Sequence, residues 1–315
     1  MYRIGIDFGG TNIAVGIVNE HLEVLYKSSL PTKKDERSVD EIVADMATLC
    51  LKMVDKVGIG LSQADAIGIA SPGVVNSKTG VVEYYCGMNM NHYPMAAILS
   101  EKLGGYQPIY MENDANAAAL GEVLAGAARG AKNALMITLG TGVGGGIIVG
   151  GKLLAGVHGS GGEIGHLKVR AYESEACGCG KHGCLEQYAS ATGIVREANR
   201  RLTGLSTPST LRELEQVTAK DVFDAAKGGD ALAMDVVKLF GDTLGRALAN
   251  VSCVCDPEVF VIGGGVSAAG QIILDAVSEA FRKHAFPAAE ETRFELAALG
   301  NDAGICGAAR LVLDV

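Results

Sequence analysis

Leu139-Gly140-Thr141-Gly142-Val143-Gly144-Gly145-Gly146 stands between two apolar runs, Ala134 to Leu139 and Gly146 to Val149. β-Rich runs joined by glycine and threonine read as a strand pair closed by a turn. The chain opens on the same plan. Strand-like runs at Tyr2 to Ile6, Ile13 to Val18 and Leu22 to Ser29 are separated by turn residues, and the first break holds Asp7-Phe8-Gly9-Gly10-Thr11. Strand, Gly-Thr turn, strand therefore heads each half of the chain, the echo expected of a duplicated unit. After the first set, Ile42, Val43, Met46, Leu49, Cys50, Met53, Val54 and Val57 fall at helical spacing and predict an amphipathic helix on the first sheet. Ala66 to Ala70 and Pro108 to Met111 read as short apolar strands, and Ala115 to Ala128 as a helix. Helices are predicted near Ala189 to Leu202, Ala219 to Lys227 and Ala231 to Val254, with a strand at Glu258 to Ile262 and a last helix at about Ala303 to Leu313.

Bulk properties narrow the function classes. A chain of 315 residues has room for two domains or one large one. It is 48% apolar and 20% charged, as in a soluble globular enzyme, but its 43 glycines exceed the number expected. A usual share of roughly 7% would give about 22. A net charge of -9 argues against a nucleic-acid surface. Phosphate, if bound, must be held by backbone N–H groups and metal. No secretory leader is visible before Asp7 and Gly9, so cytoplasm is the expected location. The uncharged stretch Asn133 to Gly151 contains seven glycines and reads as a β-hairpin, so no membrane partner is expected. Eight cysteines without a leader point to thiols or metal ligands before disulfides.

The glycine turns suit phosphate. After a strand, the Gly9-Gly10-Thr11 turn can aim N–H groups and a hydroxyl at a phosphate oxygen, with Asp7 on the metal side. Leu139 to Gly146 packs five glycines and a threonine into eight residues. Ordering each glycine costs roughly half to one kcal/mol, and close backbone approach to a ligand supplies a reason. Neither turn is followed by Gly-Lys-Ser or Gly-Lys-Thr, and Ile147, Ile148 and Val149 continue as strand where a dinucleotide fingerprint needs a helix. A third cluster, Gly263-Gly264-Gly265, precedes a helix beginning near Ala268. A nucleotide contact and a plain strand-to-helix turn both fit it.

Two other stretches carry chemistry. In Met111-Glu112-Asn113-Asp114-Ala115-Asn116-Ala117, an Asp follows an apolar run and precedes an Ala-rich helix. It reads as a helix cap or as a carboxylate poised to accept a proton. In Cys177-Gly178-Cys179-Gly180-Lys181-His182-Gly183-Cys184-Leu185-Glu186, three thiols within eight residues form a tight knuckle. With one imidazole they would give tetrahedral zinc, although Cys-x-Cys is closer than the usual spacing. His182 in the loop and His166 of Glu163-Ile164-Gly165-His166 both offer that imidazole. Cys50, Cys86, Cys253, Cys255 and Cys306 read as inert packing thiols, with a Cys253/Cys255 redox pair the lesser alternative.

Taken in order, these motifs resemble the sugar kinases of the ROK (repressor, open reading frame, kinase) family, from Ile4 to the final helix. The resemblance implies an α/β, two-lobed actin-like ATPase (ribonuclease H-like) fold with duplicated α/β domains and a central cleft. The lobes would be residues 1–115 plus 301–315, and residues 116–300 carrying the zinc loop. It implies transfer of phosphate from ATP, with Mg²⁺, to the 6-hydroxyl of a hexose, and Asp114 as the general base. A helix start should hold that carboxylate ionised through the N–H groups and dipole of its first turn. Sugar contacts are implied at Asn89, Asn113, Asp114, Glu163, His166 and Glu186. Nucleotide contacts are implied at Asp7, Gly9, Gly10, Thr11, Asn12, Gly140, Thr141, Gly142, Gly263, Gly264 and Gly265. A structural zinc on His166, Cys177, Cys179 and Cys184 would tie the segment from Glu163 to His166 to the loop entering Glu186.

The stretch from Gly183 to Gly193 is similar to the family's bacterial glucokinases, which implies glucose as the hexose. Kinases for fructose, mannose, allose, N-acetylglucosamine and N-acetylmannosamine share the core motifs, and an idle sugar sensor is the remaining reading. The chain departs from the family pattern shortly after Asn89. An aromatic residue, often Trp, is expected there, whereas the chain reads Asn89-Met90-Asn91-His92-Tyr93-Pro94 and has no Trp. Asn91 is the substitute contact. Family repressors carry a helix-turn-helix region ahead of the first phosphate motif, where this chain has only Met1 to Ile6, so DNA binding is not expected. A homodimer or homotetramer is implied by the family's habit.

Overall fold

Three β-rich runs at the head of the chain fold into an antiparallel meander, β1 (Tyr2–Phe8), β2 (Asn12–Asn19) and β3 (Val24–Pro31). The computed structural model describes residues 1–85 and 87–311. Cys86, the predicted helix end at Leu313 and the final residues of the expected first lobe lie outside the described residues. The meander is covered by α1 (Val39–Lys56), which starts in a capping box: Glu41 N donates to Ser38 Oγ, and Ser38 N donates to Glu41 Oε2 at 2.8 Å. Its buried face holds Ile42, Val43, Met46, Leu49, Cys50, Met53 and Val54 of the predicted set, while Val57, also predicted, is the half-buried C-cap. Large apolar side chains on such a face each contribute about 1.5–3 kcal/mol on full burial.

β4 (Ala64–Ser71) returns parallel to β1. A small antiparallel sheet follows, β5 (Val74–Asn76), β6 (Val81–Tyr85) and β7 (Met90–Tyr93), and then α2 (Met95–Lys102). These short elements were not anticipated, because each is too brief to show a period. β8 (Ile109–Asn113) pairs parallel with β4 and completes the order β3-β2-β1-β4-β8.

The second half repeats this plan. β9 (Ala134–Leu139), β10 (Val143–Val149) and β11 (Lys152–Leu153) are antiparallel, while β12 (Val259–Gly263) and β13 (Arg293–Leu296) extend the sheet in parallel. The order is β11-β10-β9-β12-β13, with the same directions as the first sheet. Its core lies under α5 (Ala191–Gly204), α6 (Ala219–Lys227), α7 (Ala231–Cys255) and α8 (Gln271–His284), where Phe223 meets Phe240 edge-on at 5.7 Å and Phe260 meets Phe281 at 5.3 Å.

Between the sheets lie α3 (Asp114–Ala125) and α9 (Ala303–Arg310), in contact with each other. Their fit is backbone against backbone. A Cβ on Gly68 of β4 would lie 1.8 Å from the Ala308 carbonyl oxygen, and one on Gly307 would lie 1.7 Å from that of Ala117. Glu122, wholly buried in α3, accepts from Ala127 N at 2.7 Å, Ala298 N at 3.1 Å and Leu299 N at 2.9 Å, and so ties the segment entering α9 to α3.

Some predicted boundaries move. The helix expected near Ala189 to Leu202 is two, α4 (Glu186–Ala189) and α5, because Ser190 is extended and its Oγ accepts from Gly193 N at 3.0 Å. A 3-10 turn at Gly265–Ala269 precedes α8, which begins at Gln271. Cys253 is exposed, so the packing expected of it fails, while Cys255 is buried. Among the described residues no helix is long and apolar enough to cross a membrane.

Candidate functional site

Asp114 occupies the first helical position of α3, where β8 ends. The cap is its neighbour. Asn113 is extended, and its Oδ1 accepts from Ala115 N at 3.0 Å and Asn116 N at 3.2 Å. Asn113 Nδ2 donates to the Gly73 carbonyl at 3.0 Å. Asp114 Oδ1 accepts from Ala115 N at 2.8 Å, which favours the anion. Burial outweighs that bond and the Glu163 charge works the same way as burial, so the carboxyl is pushed up to about 6. The sequence expectation that the helix start dominates is therefore reversed in sign. The group still ionises below neutrality and is a stronger proton acceptor for the shift.

Asp7 is the next-to-last residue of β1 and lies near enough to Asp114 to feel its charge. Burial first, and the Asp114 charge second, push it up to about 7. Gly304 of α9 packs on it so tightly that a Cβ there would lie 2.6 Å from Asp7 Cγ. A carboxyl raised by burial and by a neighbouring carboxylate favours a bound proton or a cation. The adjoining turn is closed by Gly9 N donating to Asn12 O at 2.9 Å. Thr32, wholly buried, braces it by donating Oγ1 to Gly9 O at 2.7 Å and its N–H to Thr11 O at 2.8 Å. Sequence reading missed Thr32, for which a lone Thr after β3 gave no signal. Gly9 and Gly10 are half-buried, and Thr11 and Asn12 are exposed.

The second glycine turn is shorter than expected. Gly140 N donates to Gly142 O at 3.0 Å, and Gly140 O accepts from Ala191 N at 2.8 Å, which anchors the turn on α5. Gly144, Gly145 and Gly146 belong to β10, and a close ligand is not their reason. A Cβ on Gly146 would lie 2.5 Å from the Ala115 carbonyl oxygen, and one on Gly145 would lie 2.6 Å from that of Gly162. Those glycines let α3 and the loop entering Glu163 lie on the strand. In the third cluster, Gly264 has φ +81° and a Cβ there would lie 2.6 Å from Leu139 O, so the end of β12 abuts the start of the second turn. Gly263 is crowded by Met136, while Gly265 faces open space.

Glu163, His166 and Glu186 converge. Glu163 Oε2 lies 3.8 Å from His166 Nε2, and His166 Nδ1 lies 3.8 Å from Glu186 Oε1. Burial raises Glu163, opposed by His166 and reinforced by Glu186. Glu186 Oε2 would lie 2.7 Å from a Cβ on Gly142, so this carboxylate also touches the second turn. Asn89 is exposed in the turn after β6, and Asn91 is exposed on β7 opposite Tyr84.

The knuckle gathers His166, Cys177, Cys179 and Cys184, with ligand atoms all within 4.8 Å of one another. Cys177 Sγ lies 3.5 Å from Cys179 Sγ and 3.7 Å from His166 Nδ1, and Cys179 Sγ lies 3.7 Å from Cys184 Sγ. Zn–S bonds of about 2.3 Å in a tetrahedron require sulfurs about 3.8 Å apart, so the set fits zinc. His182 is turned elsewhere, with Nδ1 3.0 Å from the Glu173 carbonyl oxygen. Gln187, also missed in the sequence, braces the loop: its Oε1 accepts from Gly183 N and Cys184 N, and its Nε2 donates to Glu175 O at 2.9 Å. Arg200 and Arg196 of α5 pair with Glu173 and Glu175 beside it.

Two sheets of the same strand order, each with a glycine turn after its first strand and with α3 between them, define the class of protein as the two-lobed actin-like ATPase fold. The chain belongs to the ROK family, whose pattern matches residues 3–315. It is 40% identical over 315 residues to a glucokinase of Halalkalibacterium halodurans, with 99% of this chain and 94% of that protein aligned. It is 32% identical to an N-acetyl-D-glucosamine kinase of Mannheimia succiniciproducens, with 98% of each covered. A crystal structure of a ROK family glucokinase from Streptomyces griseus in complex with glucose and AMPPNP superposes with a TM-score of 0.84 at 34% identity, covering 100% of both chains.

Proposed function

We propose that this protein is an ATP-dependent glucokinase that phosphorylates the 6-hydroxyl of glucose, with Asp114 as general base. The observation that carries the reading is the Asp114 carboxyl, held at the start of α3 between Asp7 and Glu163 and pushed up to about 6. A base of that strength is ionised at neutral pH and takes the proton of the attacking hydroxyl as the new P–O bond forms. Glu163, His166, Glu186 and Asn113 surround the sugar, with Asn89 or Asn91 from the small sheet. A pocket of fixed polar groups rejects sugars lacking a matching hydroxyl, because it leaves buried partners unpaired.

The turns at Gly9, Gly10, Thr11 and Asn12 and at Gly140, Thr141 and Gly142 cradle the phosphates, and Gly263, Gly264 and Gly265 lie toward the adenosine end. Asp7 would hold Mg²⁺, which supplies positive charge to the phosphates when bound. His166, Cys177, Cys179 and Cys184 would hold zinc as a cross-link that fixes Glu163 and Glu186 without taking part in chemistry. The lobes divide as residues 1–115 plus 301–315 and residues 116–300, and the enzyme works in the cytoplasm as a homodimer or homotetramer, without nucleic-acid or membrane partners.

The 40% identity to a glucokinase favours glucose, and the 32% identity to an N-acetyl-D-glucosamine kinase supports a second reading in which the sugar carries a 2-acetamido group. Coupled ADP release with ATP and Mg²⁺ across glucose, mannose, fructose, allose, N-acetylglucosamine and N-acetylmannosamine tests this. Glucose is expected to give the highest kcat/KM. A different preferred hexose moves the substrate, and turnover with none of them sinks the kinase reading in favour of a sensor.

A further inference from the structure

Asn116 is the third residue of α3, two places after Asp114, and is only 1% exposed. Its amide is oriented by a buried carboxylate. Glu112 of β8 accepts through Oε1 from Asn113 N at 2.8 Å and from Asn116 Nδ2 at 3.0 Å, and through Oε2 from Ser77 Oγ at 2.8 Å. Oε1 already accepts from a backbone N–H, so the Asn116 amide must turn its nitrogen to Glu112 and its oxygen away. That oxygen, Oδ1, is buried and has no hydrogen-bond partner.

The neighbour of Oδ1 is Gly162, where a Cβ would lie 3.6 Å from it. Gly162 is buried with φ +87°, and it sits so close to β10 that the same Cβ would lie 2.5 Å from the Gly145 carbonyl oxygen. Its carbonyl accepts from Ile164 N at 2.6 Å, but its own N–H has no acceptor among the described residues. The next residue is Glu163, whose N–H reaches the Ser160 carbonyl only at 3.4 Å. A buried acceptor on α3 and a spare backbone donor in the loop thus stand beside one another, one residue before a carboxylate of the site. Native proteins leave few buried polar groups unpaired, because each is dehydrated with no bond in return. A small movement of the loop would pair these two.

We propose that Asn116 is a positioning residue for the sugar: on hexose binding the loop settles until the Gly162 N–H donates to Asn116 Oδ1, and that bond fixes the Glu163 carboxylate against a sugar hydroxyl. The proposal rests on the kinase reading above, with Glu163 as a sugar contact. Hydrogen exchange at the Gly162 amide of the wild type should slow by about tenfold or more when hexose saturates the protein. Asn116→Ala should lose that protection and raise hexose KM about tenfold, the worth of one hydrogen bond made on binding, while kcat and the KM for ATP stay unchanged. Because Asn116 acts through Glu163, Asn116→Ala should add nothing to the hexose KM of Glu163→Ala. Ser77→Ala, which removes a bond only at the far side of Glu112, should keep the wild-type hexose KM.

A Gly162 amide that exchanges equally with and without hexose overturns the assignment, whether or not the variants fold. So do an unchanged hexose KM in Asn116→Ala, losses that add to those of Glu163→Ala, and a KM raised as far by Ser77→Ala, which would place the effect on Glu112. If the wild type binds hexose without phosphorylating it, the kinase reading fails alone and the Gly162 exchange still decides on Asn116. If it neither binds nor phosphorylates hexose, both fail. If the wild type is active and Asn116→Ala matches it, only the Asn116 assignment fails.

Discussion

Asp114→Asn removes a half-buried charge while keeping the size and polarity of the side chain, so it separates what the carboxyl does for catalysis from what it does for folding. The helix start survives the change because Asn113 supplies the cap. Burial and the Glu163 charge raise Asp114 from 3.8 to about 6 in the folded protein. A carboxyl raised in this way contributes stability that is fully present below the unfolded value and is lost as pH rises through the folded one. The window therefore opens near pH 3.8 and closes a little above pH 6. At roughly 1.4 kcal/mol per pKa unit, the loss comes to about 3 kcal/mol at pH 8. Asparagine does not titrate, so urea unfolding should find the variant up to about 3 kcal/mol more stable than the wild type at pH 8 and equal to it at pH 4. Its kcat should fall by roughly 10² to 10⁴, the usual worth of a positioned base. Wild-type kcat should decline as the pH drops below about 6, where the base takes up its proton. A variant that is less stable than the wild type at pH 8, or that stays within tenfold of its activity, would refute the reasoning.

Stripping the knuckle with a strong chelator should release about one zinc per chain and abolish hexose phosphorylation, and magnesium alone should not restore it. Metal analysis with a hexose titration checks this; demetallated protein that keeps normal hexose affinity would remove the role given to zinc. Glu122→Ala leaves three backbone N–H groups, those of Ala127, Ala298 and Leu299, without their acceptor in a dry site. A loss of about 3 kcal/mol is expected from unsatisfied donors there, measurable as a lowered urea midpoint. A change below about half a kcal/mol would mean that water or another group takes over.

The fold was legible where a local signal repeats. The Gly-Thr turns after β1 and β9 exposed the duplication, and the spacing from Ile42 to Val54 exposed α1, because each pattern belongs to one contiguous segment. The small sheet was not legible, since β5 has three residues and β7 four, too few to establish alternation. The glycines at 144–146 misled, because a Cβ is excluded there by α3 and the Gly162 loop, contacts made by residues remote in sequence. The same holds for Asp114. Its position at a helix start was readable, but the desolvation that decides its basicity comes from the surrounding three-dimensional enclosure. Thr32 and Gln187 act only through backbone groups of loops they brace, and nothing in their own neighbourhoods marks them.

The backbone fit of α9 against β4 and α3 bears on how the protein is made. The first four strands of the first sheet can pair once β4 has been synthesised, yet the helix that lies on Gly5 and Gly68 begins only at Ala303, about 230 residues later. At roughly 5–20 residues per second, ribosomes would take on the order of ten to fifty seconds to deliver it. During that interval the sheet presents a bare glycine face to the exit-tunnel surroundings. The earliest part of the chain must therefore wait for its latest helix, and a nascent-chain holdase would find its substrate in β1 and β4 before α9 arrives.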